Sequence, residues 1–183
     1  MSEQTHYAVD IAGVKRELRL FEVKPGLRIA ILNILGDTEL VEAAAQALVK
    51  KCSELEYDAI ITAEAKSIPL AYAFSVKSGI PYIVLRKSYK AYMGDAIQAE
   101  TLSITTGKPQ TLILDEKDLA LVKGKKLLVI DDVISTGSTL EGMKSIIEKA
   151  GGKIVANVAI FTEGDEGGWT DVISLGNLPL FFD

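Results

Sequence analysis

Two adjacent carboxylates followed by a loop of small hydroxyl residues form the most informative segment of the chain, Leu127–Thr139 (LLVIDDVISTGST). The apolar residues before Asp131 and Asp132 predict a buried strand, and the small residues after them predict a turn into a helix. Backbone N–H groups of such a turn can surround a phosphate at the positive end of the helix, and a glycine permits its close approach. The segment therefore predicts a sugar-phosphate site.

Each part of this segment has its own expected role. Asp131 and Asp132 stand at the end of the strand, at the edge where open α/β sheets bind ligands, and two carboxylates suit two ribose hydroxyls. The alternative is a solvated acidic strand end, which the loop that follows makes less favourable. The residues expected to hold the 5′-phosphate are Ser135, Thr136, Gly137, Ser138 and Thr139.

Four apolar residues, two aspartates and a Thr-Gly-x-Thr loop resemble the phosphoribosyl-pyrophosphate motif of type I phosphoribosyltransferases. The chain contains neither a G-x-x-x-x-G-K-[ST] loop nor a G-x-G-x-x-G turn, the two competing phosphate loops. The resemblance covers about residues 20–163 and is closest to the adenine branch, with xanthine and archaeal hypoxanthine-type enzymes nearby. It implies the α/β type I phosphoribosyltransferase fold: a parallel sheet flanked by helices, with a flexible β-hairpin loop and a small N-terminal hood.

The resemblance also implies a reaction. The ribose phosphate of 5-phosphoribosyl-1-pyrophosphate (PRPP) would be transferred to a purine in purine salvage, with adenine as the first expectation and Asp131 and Asp132 as the catalytic residues. Hypoxanthine, guanine and xanthine are alternative bases, and a non-catalytic PRPP-sensing regulator is the alternative from a different class. The family further implies a homodimer and a magnesium ion, which substrate oxygens would hold rather than a protein cage.

Two further segments are expected to bind the pyrophosphate group. Lys66 combines a cation with the free N–H groups of a helix that begins near Ser67, where the family usually has glycine. A helix-capping loop with an exposed lysine is the alternative. An arginine and a lysine end the next strand at the same sheet edge, and arginine binds such oxygens in a bidentate manner, although a solvated strand end is also possible. The predicted set is Ala65, Lys66, Ser67, Arg86 and Lys87.

The stretch Tyr89–Thr106 resembles the loop that closes over the reacting centre in this family and excludes water from a developing ribosyl cation. Near its end the adenine enzymes carry a Glu-Tyr pair, where this chain has Thr105 and Thr106. The general acid or base therefore cannot be carried over from the family. Glu100 and Asp95 are the remaining candidates.

The purine slot is expected beneath the hood. Residues 20–35 align loosely with the hood of the family, and their apolar side chains, including Ile31, would form part of the slot. Ordinary core packing explains these side chains equally well, as it does the apolar pair at the end of the strand near residue 160. The predicted base-binding residues are Leu27, Ile29, Ile160 and Phe161.

Hydrophobic periodicity predicts the elements that position these residues. Helical spacing favours three helices, the first capped by Asp37, and short apolar runs rich in β-branched residues favour interior strands. This alternation predicts a parallel sheet with right-handed crossovers. Helices are predicted at 38–54, about 67–78 and 138–150, strands at 57–63, 80–86, 125–132 and 153–161, and a β-hairpin within 88–117 that turns at Thr106–Pro109.

The length of 183 residues predicts one domain, with the hood at about 1–36 and the core at about 37–165. The segment 169–181 alternates enough to add a small strand. Lysines and arginines are scattered in a chain of net charge −5, which argues against nucleic-acid binding. Without a run of about 18 apolar residues, a cytoplasmic protein without membrane contact is expected. The single cysteine, Cys52, permits no intrachain disulfide and is expected to be a packing residue.

Overall fold

The computed structural model describes residues 4–102 and 109–182. The first half of the chain forms β1 (His6–Ile11), β2 (Val14–Lys24), β3 (Leu27–Ala30), α1 (Thr38–Lys51), β4 (Ala59–Ala63), α2 (Ile68–Ser78) and β5 (Tyr82–Leu85). The second half forms β6 (Ile97–Leu102), β7 (Pro109–Leu114), β8 (Lys126–Ile134), α3 (Ser138–Lys149), β9 (Lys153–Glu163), β10 (Val172–Leu178) and β11 (Phe181–Phe182).

A parallel sheet of order β10-β9-β8-β4-β5 carries the core. All five residues of β4 are buried, because helices cover both of its faces. Leu128 and Ile130 of β8 pack in the cluster with α1 and α2, whereas Leu127 and Val129 pack in the cluster with α3. The predicted α/β fold with helices on both faces of a parallel sheet is confirmed.

Several helix ends lie where the sequence predicts them, although α1 ends at Lys51 and not at residue 54. Asp37 caps α1 by accepting a hydrogen bond from Leu40 N at 3.2 Å. Helix α2 has proline in its first turn and ends at Gly79, whose left-handed φ of 74° suits glycine. Helix α3 ends at Ala150.

The hood is a four-stranded antiparallel sheet of order β1-β2-β3-β11. Its fourth strand comes from the end of the described chain, since Phe181 pairs with Arg28. The extra strand predicted within 169–181 is β10, which joins the main sheet parallel to β9. Gly176 permits this close pairing, because a Cβ there would lie 3.0 Å from the ring of Phe161. The C-terminal segment thus contributes to both sheets.

The predicted hairpin consists of β6 and β7, which pair antiparallel from Ile97 and Leu114 onward. Residues 103–108, which include most of the predicted turn, lie outside the described residues. Arg86 and Ile113 exchange two backbone hydrogen bonds of 2.8 Å, so the hairpin fixes the chain after β5. Among the described residues, no helix is long and apolar enough to cross a bilayer.

Arg16 of β2 holds the hood against α1. Its Nε lies 2.7 Å from Asp37 Oδ2 and its Nη2 lies 2.8 Å from Asp37 Oδ1, a bidentate pair. The hydrogen bond from Arg16 lowers the pKa of Asp37 from its ordinary value. One carboxylate therefore caps a helix and also joins two parts of the fold.

We expect D37A to reduce the free energy of unfolding by about 1 kcal/mol or more, because the cap of α1 and the pair with Arg16 are lost together. D37N keeps a capping oxygen and should lose less. Urea denaturation of the two variants and the native chain measures the difference. Equal losses in D37A and D37N would mean that the cap contributes nothing.

Candidate active site

Asp131 and Asp132 lie next to each other near the carboxyl end of β8, and Ser67 joins them. The Ser67 hydroxyl donates to Asp131 Oδ1 at 2.5 Å and accepts from Asp132 N at 3.0 Å. Ser67 is only 2% exposed. The serine at the position where the family usually has glycine thus connects the loop after β4 to the aspartate pair.

Lys66 faces the second carboxylate. Its Nζ lies 2.8 Å from Asp132 Oδ2 and donates to Leu32 O at 3.0 Å. Within the described residues, buried Oδ2 of Asp132 has this ion pair but no hydrogen bond of good alignment. Lys66 therefore neutralises Asp132 without satisfying the directional requirement of that oxygen.

The surroundings of Asp131 disfavour the charged form of its carboxylate. Burial, with the adjacent charge of Asp132 as the second cause, raises the pKa of Asp131 to about 7. The Ser67 hydroxyl acts in the opposite direction. A ligand that offers hydrogen-bond donors or a cation to Asp131 would favour its charged form.

The predicted pyrophosphate residues surround one cavity of about 320 Å³ at the end of β4 and β8. Ala65, Lys66, Ser67 and Lys87 line it together with the two aspartates. The remaining member of the set, Arg86, is not part of its lining and donates to Glu64 Oε2 at 2.6 Å.

Glu64 organises the chain on both sides of this cavity. Its Oε1 accepts from Lys87 N at 2.5 Å while its Oε2 accepts from Arg86. Burial acts to raise the pKa of Glu64, but the hydrogen bonds from Lys87 and Arg86 outweigh it and lower the pKa. The Glu64–Ala65 peptide bond is cis.

The loop after β8 borders a second cavity of about 280 Å³. Gly137 has a φ of 76°, a left-handed conformation that favours glycine, and a Cβ there would lie 2.9 Å from the ring of Trp169. The two cavities share Lys87, Asp131, Val133 and Thr139, so they are continuous along the sheet edge. All five residues predicted to hold the 5′-phosphate line this second cavity: Ser135, Thr136, Gly137, Ser138 and Thr139.

A third cavity, of about 660 Å³, lies between the hood and the loop after β9. Leu27 and Ile29 line it as predicted for a base slot, and Ser135 and Thr136 connect it to the 5′-phosphate loop. Further apolar lining comes from Phe21, Val23, Trp169 and Leu180.

The expectation that Ile160 and Phe161 form a wall of this slot is not met by the geometry. They are 0% and 4% exposed and belong to the core, because β9 lies inside the sheet with neighbours on both sides. Trp169 takes that place, held by a hydrogen bond of 3.2 Å from its Nε1 to Glu163 O. The sequence signal that could have found it is the single tryptophan just beyond β9.

The candidates for a general acid or base lie away from these cavities. Asp95 and Glu100 are exposed and line none of the three. Thr105 and Thr106 lie outside the described residues. Within residues 4–102 and 109–182, no group of three or more histidine, cysteine, aspartate or glutamate side chains is placed to hold a metal ion.

Another hollow, of about 580 Å³, lies at the amino ends of β4 and β8 and is lined by residues such as Tyr57, Asp58 and Lys126. Parallel sheets bind ligands at the carboxyl ends of their strands, so this hollow is not the candidate site. Cys52 borders it and is 1% exposed, as expected for a packing residue. Burial raises the pKa of its thiol to about 11, which keeps it protonated at neutral pH.

Residues 32–169 match the family described as the phosphoribosyl transferase domain. The chain belongs to this phosphoribosyltransferase family. The match begins within the hood and ends at Trp169. It includes the loops after β4, β8 and β9, which line the three cavities at the carboxyl edge of the sheet. The family resemblance drawn from the motif is therefore confirmed.

Relatives of this chain include both enzymes and regulators. It is 35% identical over 127 residues to a hypoxanthine/guanine phosphoribosyltransferase of Methanocella paludicola, a match that covers 69% of this chain and 62% of that protein. It is 26% identical over 143 residues to the purine biosynthesis transcriptional repressor PurR of Bacillus subtilis, covering 78% of this chain and 49% of the repressor. The chain thus spans about half to two thirds of the length of these relatives.

The fold is shared with adenine phosphoribosyltransferases. The structure of the Giardia lamblia enzyme complexed with 9-deazaadenine superimposes with a TM-score of 0.73 at 20% identity, covering 87% of this chain and 93% of that one. The type I phosphoribosyltransferase fold is therefore shown for this chain.

The raised pKa of Asp131 makes the stability of this family member depend on pH. A carboxyl group whose pKa is raised by folding stabilises the fold fully below its unfolded pKa, about 3.9, and this contribution is lost as the pH rises through the folded value near 7. D131N cannot titrate, so its stability relative to the native chain should improve between pH 5 and pH 8.

Urea denaturation at both pH values gives the comparison. E64Q is the matched control, because the pKa of Glu64 is lowered and its titration lies below this range. A stability difference between D131N and the native chain that stays constant from pH 5 to pH 8 would contradict the assignment.

Proposed function

We propose that this protein is a purine phosphoribosyltransferase that binds PRPP along the carboxyl edge of its sheet and transfers the phosphoribosyl group to a purine. The observation that carries this proposal is the continuity of the three cavities. The 280 Å³ cavity of the 5′-phosphate loop shares Lys87 and Asp131 with the cavity of Lys66, and it shares Ser135 and Thr136 with the apolar slot. PRPP has an anionic group at each end of a ribose, so the two polar cavities can hold its 5′-phosphate and its pyrophosphate, and the adjoining apolar slot can hold the base.

The proposed reaction is a displacement at ribose C1. The bond between C1 and the pyrophosphate oxygen breaks with its electron pair leaving on pyrophosphate. A purine ring nitrogen supplies the pair for the new C1–N bond, and the ring proton that the base loses passes to water or to an oxygen of the released pyrophosphate. Positive charge develops near C1, where the carboxylates of Asp131 and Asp132 can stabilise it while they accept hydrogen bonds from the ribose hydroxyls.

The cations at the pyrophosphate end are held by carboxylates before substrate binds. Lys66 is paired with Asp132 and Arg86 with Glu64. Pyrophosphate oxygens would replace these carboxylates as the partners of the two cations. Lys87 lines both the 320 Å³ and the 280 Å³ cavity and can contact either the pyrophosphate or the 5′-phosphate. Positioning and charge stabilisation are then the main contributions of the protein.

The donor set fits a magnesium ion that arrives with the substrate. Asp132 already has a lysine 2.8 Å away, so Asp131 is the carboxylate whose charge is less well neutralised. Magnesium favours oxygen ligands and keeps several waters, and Asp131 with pyrophosphate and ribose oxygens provides such ligands. When bound, the ion would neutralise charge on the leaving group.

Adenine is the base expected from the sequence resemblance, and adenine phosphoribosyltransferases share the fold. Hypoxanthine or guanine is supported by the 35% identical relative, whose name carries those bases. The apolar slot of Leu27, Ile29 and Trp169 suits any flat purine ring.

A PRPP-binding regulator is the second candidate function. The similarity to PurR over 78% of this chain supports it. The same aspartate pair and phosphate loop would then bind PRPP without releasing pyrophosphate. Binding of PRPP together with an absence of pyrophosphate release would separate the regulator from the enzyme.

Incubation with magnesium, PRPP and separate adenine, hypoxanthine, guanine and xanthine should release pyrophosphate with at least one base. D131N and D132N should each lower turnover at least about tenfold, equivalent to about 1.4 kcal/mol of barrier, because a charge near C1 is removed. Each variant's urea denaturation serves as the folding control. Turnover that stays unchanged in both variants would exclude a catalytic role for the pair.

T139A should weaken PRPP binding about tenfold or less with little change in kcat, since a neutral hydroxyl donor to the 5′-phosphate acts before and during the reaction alike. Calorimetric titration with PRPP, ribose 5-phosphate and pyrophosphate locates the loss. Affinity should fall for the two ligands that carry the 5′-phosphate and not for pyrophosphate. A fall for pyrophosphate alone would move the 5′-phosphate to another loop.

A further inference from the structure

Glu163 lies at the end of β9 and lines the 660 Å³ cavity with Leu27, Ile29 and Trp169. The parallel neighbour of Glu163 on β10 is Leu178. Glu163 thus borders a largely apolar slot, whose other charged lining residues are Glu22, Lys24 and Asp165.

The carboxylate of Glu163 is half-buried, and no described residue donates a hydrogen bond to it or forms an ion pair with it. Burial raises its pKa, and the opposing influence comes from Lys66. The ammonium of Lys66 is already engaged by Asp132 and Leu32 O. A carboxylate without donors in such surroundings favours a ligand that supplies them.

An aromatic ring stands beside this carboxylate. The indole Nε1 of Trp169 donates to Glu163 O at 3.2 Å, and the far side of the same indole approaches Gly137 of the 5′-phosphate loop. The cavity therefore combines an aromatic surface, which suits a flat heterocycle, with hydrogen-bond acceptors at one end.

We propose that Glu163 determines base specificity and selects 6-oxopurines, hypoxanthine and guanine, over adenine. This inference rests on the proposed function. An ionised carboxylate only accepts hydrogen bonds, and hypoxanthine and guanine present an N1–H donor, to which guanine adds its 2-amino group. Adenine presents an acceptor lone pair at N1, which a carboxylate repels. A site built for one pattern of donors rejects the analogue that lacks it.

The test is the ratio of kcat/KM for guanine to that for adenine, measured in the native chain and in E163Q. The native ratio should exceed one. The glutamine amide offers one donor and one acceptor, which complement N1 and the 6-amino group of adenine, so the ratio should fall at least about tenfold. Affinity for PRPP should stay unchanged in E163Q, since the other end of the site binds it.

E22Q is the matched control, because Glu22 lines the same cavity but its carboxylate already accepts from Gly26 N at 3.1 Å. It removes the same charge and should leave the base ratio unaltered. A native preference for adenine, or a ratio that E163Q leaves unchanged, would overturn the role of Glu163 while purine transfer itself still stands. If no purine supports pyrophosphate release, the proposed function fails. The role of Glu163 is then tested by equilibrium dialysis with magnesium and PRPP present, as the ratio of the affinity for guanine to the affinity for adenine in the native chain and in E163Q.

Discussion

Two carboxylates side by side at the end of a buried strand repel each other, and the structure depends on how that repulsion is contained. Asp131 and Asp132 follow four fully buried apolar residues of β8, so neither can move away without disrupting the sheet. Ser67 supplies one hydroxyl to the pair and Lys66 supplies one positive charge. Because both come from the loop after β4, the carboxylate pair also determines where that loop lies. The same loop forms one wall of the 320 Å³ cavity.

The same arrangement leaves part of the charge of the site uncompensated. Lys66 approaches Asp132 Oδ2 without good alignment, and the pKa of Asp131 is raised to about 7 by burial and by its neighbour. The cation of Arg86 is likewise paired with an internal carboxylate. An incoming ligand with hydroxyl donors in the middle and anionic groups at its ends exchanges these internal pairs for external ones. The site is therefore preorganised in position, while its electrostatic energy falls when such a ligand binds.

The parts of the site that one continuous segment forms could be predicted from the sequence. Residues 135–137 form the turn between β8 and α3, and residues 138 and 139 begin the helix, so local rules for turns and helix starts suffice to place their N–H groups. The alternation of apolar runs likewise predicts α1, α2, α3 and the central strands. Gly79 and Asp37 end and begin helices as expected because capping depends on a few neighbouring residues.

The apolar slot could not be predicted in the same way, because it depends on contacts between distant segments. Its walls come from β2, β3 and the loop after β9, and the hood itself is completed by β11 from the far end of the chain. Ile160 has an apolar side chain of the kind expected in a base slot, but this side chain is buried in the core. It belongs to β9, a strand inside the sheet with neighbours on both sides. Trp169 and Glu163 have no local pattern that predicts a role, and they line one cavity with Leu27 only in the folded chain.

This division has a physical consequence for the proposed reaction. A phosphate and a ribose present the same groups in every reaction of this type, so a short loop and two adjacent carboxylates are sufficient for them. Bases differ in the donors and acceptors along one edge, and in the proposed function the hood and the loop after β9 supply the side chains that bind this edge. Changes at Glu163 or Trp169 alter neither β8 nor the 5′-phosphate loop directly, apart from the contact of the indole with Gly137. Ser135 and Thr136 line both the apolar slot and the 280 Å³ cavity, so the slot and the 5′-phosphate loop also share side chains directly.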